Sequence, residues 1–116
     1  MCSSDLESLT MDWAHLWQSI LEDMAGGIDT AEIAARFHAG VAGAVAAIAI
    51  RLCEREGLKT AVLSGGSFQN RLLLEGVAKR LRGAGIKVMA PERYPANDGG
   101  IALGQAVIAT ARWMNR

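Results

Sequence analysis

An α/β fold with the element order α-α-β-α-β-α is predicted for this chain, and three observations predict it. Two long apolar segments recur at helical spacing before any strand-like run. Two short β-type runs follow, "TAVLS" at residues 60–64 and "IKVMA" at residues 86–90, closed by glycine and proline respectively. A helical segment separates these runs and another follows them. Strands alternating with helices imply a short parallel sheet with a right-handed crossover.

The 116 residues allow at most one domain with a modest core. Twelve Lys+Arg balance twelve Asp+Glu, so the net charge is zero. Such a chain has no field to recruit nucleic acid or an acidic membrane surface. The densest basic group, Lys79, Arg80 and Arg82, reads as a solvated helix end. Cys2 and Cys53 share no metal-type spacing, and Cys53 falls in an apolar helical stretch where a buried, reduced thiol is expected. No charged segment followed by an apolar one opens the chain, so no secretory signal is expected. The longest uncharged apolar run, residues 39–50, is shorter than the roughly 20 residues a bilayer span takes. These features predict a soluble, cytoplasmic protein.

Residues 1–10, "MCSSDLESLT", are polar and aperiodic, and are expected to be a disordered or extraneous terminus ahead of a unit over residues 11–116. The first helix is expected over residues 12–25, where Trp13, Leu16, Trp17, Ile20, Leu21 and Met24 share a helical period. Gly26 and Gly27 then act as C-cap. Asp29 with Glu32 reads as a capping box that opens a second helix over residues 29–56, stopped at Gly57. Its middle, "FHAGVAGAVAAIAI", is apolar on nearly every face, which predicts burial all round. Gly40, Gly43, Ala44 and Ala47 would let it lie close to a neighbour. A glycine costs about 1 kcal/mol inside a helix, so a pair there needs a packing reason. The third helix is expected over residues 68–82, capped by Ser67, with Leu72, Leu73, Val77 and Leu81 facing inward. The last runs from Gly99 to Trp113. Two strands rarely make a stable sheet, so the chain is expected to be part of a larger domain or to need a partner.

Chemistry concentrates at two glycine loops beyond the strand ends, the position where open α/β sheets bind ligands. In "SGGSFQN", Ser64, Gly65 and Gly66 lie between a strand end and a helix start, where backbone N–H groups and the helix dipole favour an anion. Glycines there let a phosphate or an adenosine approach the backbone, and equally they make a tight turn that needs no ligand. The stretch is neither a dinucleotide fingerprint nor a P-loop. Asn70, one turn on, can face the same crevice or simply be solvated. In "NDGG", Asp98 is a carboxylate suited to Mg, Zn or Fe, and equally suited to an N-cap. Gly99 and Gly100 again permit close approach. His15 and His38 share no helix-face spacing for a metal. His15 reads as incidental, and His38 as a satisfied core histidine.

Together, "ARFHAGVA", "AVLSGGSFQNRLLLE" and "PANDGGIALGQAVIA" resemble the C-terminal end of the nickel–iron hydrogenase maturation carbamoyltransferases, the HypF family, over residues 28–109. The resemblance implies the last lobe of an actin-like, ribonuclease-H-like (ASKHA) domain. It implies an enzyme that uses carbamoyl phosphate and ATP to make a carbamoyl-adenylate. That enzyme passes the carbamoyl group to the C-terminal cysteine of a HypE partner, on the way to a cyanide ligand. By motif, Ser64, Gly65, Gly66 and Asn70 would face the nucleotide, and Gly99 and Gly100 its phosphates. Asp98 would be a ligand of a divalent metal, Zn or Fe, with Mg the third choice. Ser67 stands where the family has Val. The family's His-x-x-x-His metal pair is missing from the chain, so a fragment inactive on its own is expected. The related tRNA threonylcarbamoyl-transferases carry Thr-Asp-Asn-Gly at the Asp98 motif and form the alternative, with a non-catalytic subunit or remnant as a third reading.

Overall fold

A computed structural model describes residues 9–115. The terminus expected at residues 1–10 therefore falls largely outside the described residues. In order, the chain forms α1 (Ala14–Ala25), α2 (Thr30–Glu56), β1 (Thr60–Val62), a 3-10 turn (Gly66–Gln69), α3 (Arg71–Gly83), β2 (Lys87–Met89), a second 3-10 turn (Asp98–Gly100) and α4 (Ile101–Met114). β1 and β2 pair in parallel, with Thr60 opposite Lys87 and Val62 opposite Met89. Among the described residues these two strands are the whole sheet.

The long helix α2 begins and ends as its sequence directs. Asp29 accepts the Ala31 N–H at 3.1 Å, and Gly57 closes the helix at φ 67°, a conformation that penalises any residue with a Cβ. Glu32 leaves the expected capping box open and pairs instead with Arg36, one turn on, at 2.6 Å. Arg36 also reaches Asp23 of α1 at 2.7 Å, so one guanidinium ties two helices together. Asp23 first, then Glu32, raise that guanidinium above its ordinary value.

Burial departs from expectation along α2. Only Ala42, Ala46 and Cys53 are buried on it, not every face. The reason is supply: among the described residues α3 covers one stripe, α1 and β1 touch others, and much of the rest stays exposed. The buried cluster joins those three residues to Leu63, Val77, Ala78, Leu81 and Ile86. Val77 and Leu81 are fully enclosed, as expected of α3, while Leu72 stands 65% exposed and leaves the inner face to Leu74 and Ala78. Small residues set the spacing. A Cβ at Gly76 would come 3.0 Å from the Ala42 Cβ, and one at Gly40 would come 2.9 Å from the Leu16 Cδ1 of α1. By length and composition, α2 is apolar enough to cross a bilayer. A reading limited to uninterrupted apolar runs overlooks this. Its innermost stripe is nevertheless committed to α3.

Helix α4 contacts little beyond its own lead-in turn. Every described residue along it is exposed, including Ile101, Val107, Ile108 and Trp113. The Cα radius of gyration is 18.2 Å, against about 13 Å for a compact domain of this length.

Candidate functional site

Parallel pairing places the C-terminal ends of β1 and β2 on one edge, and both glycine loops leave from it. The ladder continues one step past the strands, where the Leu63 N–H donates to the Met89 carbonyl at 2.8 Å. Beyond that step the Gly65 N–H donates to the Ala96 carbonyl at 2.7 Å, and the Ser64 hydroxyl leans on the same oxygen at 3.4 Å. A single carbonyl thus joins the loop after β1 to the loop after β2.

The glycines of this junction do different jobs. Gly65 adopts φ 104° and ψ 161°, a region that only glycine occupies without strain. Gly66 has ordinary φ, and a Cβ there would find nothing within 4 Å. Its missing side chain serves no packing within the chain and leaves the backbone open to an incoming group. Gly99 and Gly100 are the reverse. A Cβ at Gly99 would lie 3.0 Å from the Asn97 Oδ1 and 3.1 Å from Pro95, and one at Gly100 would lie 3.0 Å from the Pro95 carbonyl. Their smallness lets the loop fold back on itself.

Caps fall on different residues from those expected. Asn70, not Ser67, caps α3, its Oδ1 accepting the Leu73 N–H at 3.2 Å. The 3-10 turn over Gly66–Gln69 delays the helix to Arg71, because Asn70 is extended at φ −72° and ψ 109°. At the second loop Asn97 takes the cap, accepting the Gly99 N–H at 3.0 Å. That removes capping as a role for Asp98. Its carboxylate is exposed and, among the described residues, holds no hydrogen bond or ion pair.

His38 reaches the same junction from α2. It is half-buried, with Nδ1 2.7 Å from the Ala34 carbonyl and Nε2 2.8 Å from the Asn70 side-chain nitrogen. His38, Ala42 and Ala46 lie at successive i, i+4 positions on the stripe that faces α3. That register, set beside an Asn just ahead of "RLLLE", was the available signal for the contact. His15 is exposed, as expected of an incidental residue.

Among the described residues no three His, Cys, Asp or Glu side chains come together to hold a metal. Stable metal sites usually draw three or more protein ligands. Among the described residues the Asp98 carboxylate therefore belongs to no such group.

The family profile described as "Carbamoyltransferase, Kae1-like Domain, second subdomain" matches residues 2–105. The chain belongs to the HypF carbamoyltransferase family. Carbamoyltransferase HypF2 of Cupriavidus necator is 36% identical over 96 residues, 83% of this chain and 12% of that protein. A full-length HypF crystallised in its phosphate- and nucleotide-bound form matches with a TM-score of 0.75 and 42% identity. That match covers 80% of this chain and 12% of that one. The chain therefore spans about an eighth of the length of these HypF relatives. Its mixed architecture, a short parallel pair with α2 and α3 packed against it, matches the HypF structures and their Kae1-like, actin-related domain. A tRNA N6-adenosine threonylcarbamoyltransferase of Aromatoleum aromaticum is also similar, 38% identical over 85 residues, 72% of this chain and 25% of that protein.

Proposed function

We propose that this chain is the C-terminal, nucleotide-facing part of a HypF carbamoyltransferase, and that its joined glycine loops form the floor of an adenylate pocket. One observation carries the reading. The Gly65–Ala96 hydrogen bond fuses two glycine loops at the C-terminal edge of a parallel sheet, where ligands of α/β folds bind. The nucleotide-bound form of a HypF relative supports it.

In the intact, cytoplasmic enzyme, carbamoyl phosphate and ATP yield a carbamoyl-adenylate with release of phosphate and pyrophosphate. The carbamoyl group then moves to the C-terminal cysteine thiol of a HypE-type partner, which gives up its proton as AMP leaves. Within this chain the open backbone at Gly66 admits the nucleotide, with Ser64 and Gly65 beside it. Asn70 offers an amide, and the 98–100 turn approaches the phosphates. Asp98 supplies one ligand to a divalent metal, Zn, Fe or Mg, whose chemistry when bound is to polarise an oxygen of the transferred group. The remaining ligands and the opposite wall of the pocket come from outside these residues, so this chain alone is inactive. Neither a nucleic acid nor a membrane enters the reaction.

The test is a full-length HypF in which this sequence replaces the equivalent segment. The chimera is expected to carbamoylate the HypE cysteine in the presence of ATP and carbamoyl phosphate. Asp98→Ala is expected to abolish transfer while the fold is retained, and normal transfer by that variant would remove Asp98 from the site. Titration calorimetry of the 116-residue chain with ATP and Zn²⁺ should show no tight binding of both. Tight binding would refute the incomplete pocket. A second reading, transfer of threonylcarbamoyl to tRNA, draws on the similarity to the tRNA-modifying enzymes. It lacks a basic surface and carries Asn97 and Gly99 beside Asp98 instead of that branch's residues.

A further inference from the structure

We infer that His38 is a positioning residue that locks the Asn70 side-chain amide in one orientation, leaving one of its N–H donors free for a nucleotide. The argument is a chain of donors and acceptors with fixed ends. The Leu73 N–H can only donate, so the Asn70 atom facing it is the carbonyl oxygen. The other end of the amide is then the NH₂ group, which lies 2.8 Å from His38 Nε2 and makes that nitrogen an acceptor. A neutral imidazole accepting at Nε2 carries its proton on Nδ1, and Nδ1 lies 2.7 Å from the Ala34 carbonyl, which can only accept. Every partner agrees on one tautomer and one amide orientation.

The lock has a consequence for recognition. The Asn70 oxygen gives one of its two lone pairs to the α3 cap, and one of the N–H groups goes to His38. Among the described residues nothing takes the second N–H. Asn70 therefore presents a fixed free donor to an acceptor such as a phosphate, ribose or ring-nitrogen lone pair, and cannot turn its oxygen into that N–H's place without losing both bonds. His38 sits on α2, outside both glycine loops, so the long helix sets the orientation of a loop residue. This inference rests on the reading of the glycine crevice as nucleotide-facing.

The first test needs no nucleotide. Nitrogen-15 spectra of the 116-residue chain at neutral pH are expected to show His38 as the Nδ1–H tautomer, and an Nε2–H tautomer would overturn the lock. The second uses the full-length chimera. His38→Ala should weaken ATP binding about threefold to tenfold, the worth of one net hydrogen bond, with helical content unchanged. His38→Gln, whose side-chain oxygen still accepts from Asn70, should restore most of it. In the Asn70→Ala background, His38→Ala should have no further effect. Unchanged ATP affinity in His38→Ala, or an additive loss in the double variant, would overturn the inference. Failure of the unsubstituted chimera to bind ATP would instead overturn the functional reading beneath it, while the tautomer would still decide the lock.

Discussion

Four glycines at one site look alike in the sequence and carry three different physical demands. Gly65 is needed for its backbone, Gly99 and Gly100 for the room they leave their own loop, and Gly66 for neither. The expected outcomes separate them. Gly65→Ala should cost the fold about 1–3 kcal/mol, the penalty for holding a Cβ in a glycine-only region, read as a lowered unfolding midpoint in urea. Gly66→Ala should leave that midpoint in place. In the full-length chimera, the same change should abolish ATP binding by filling the space a ligand needs. Retained binding would mean that no group approaches the backbone there. None of this was legible from "SGG" alone, because φ is a property of the junction with Ala96 and that contact spans more than thirty residues.

Helix packing follows the same division between pattern and context. The ends of α2 were legible, since Asp29 and Gly57 act through bonds a few residues long. Its burial was not. An Ala- and Gly-rich helix reads as enclosed on all faces, yet here only Ala42, Ala46 and Cys53 on it are buried. The close approach of α2 and α3 at Gly76 gives a contrast that a stability measurement resolves. Gly76→Ala places a methyl 3.0 Å from a Cβ that cannot rotate away, so overpacking should cost about 1–3 kcal/mol. Gly40→Ala meets only the tip of the Leu16 side chain, which can turn. There the gain in helix propensity, up to about 1 kcal/mol, should leave the protein as stable as before or more so. Equal destabilisation by both would mean that α1 is held as rigidly as α3. For α3, the delayed start at Arg71 reflects competition between two caps, Ser67 and Asn70, that local rules rank almost equally. Asn70, whose amide also meets His38, takes the cap.

The molecule is extended, and among the described residues it has a two-stranded sheet and a wholly exposed α4. Because α4 adds nothing to the buried cluster, truncation after Gly100 should change the unfolding free energy by less than about 0.5 kcal/mol, the range for surface changes. A larger loss in urea titrations would show that α4 folds back on the core in solution. What the sequence determined by itself was everything decided over short distances or by exact motif. This includes the order of helices and strands, the caps of α2, the buried thiol of Cys53, and the Gly-Gly and Asn-Asp-Gly-Gly signatures that point to the carbamoyltransferase family. What only the tertiary structure decided was which of those residues meet. Ala96 bridges the loops, and His38 meets Asn70 across 32 residues. The physical reason is that periodicity and caps are written in neighbouring residues, whereas a crevice is assembled from hydrogen bonds between elements that the chain order keeps far apart.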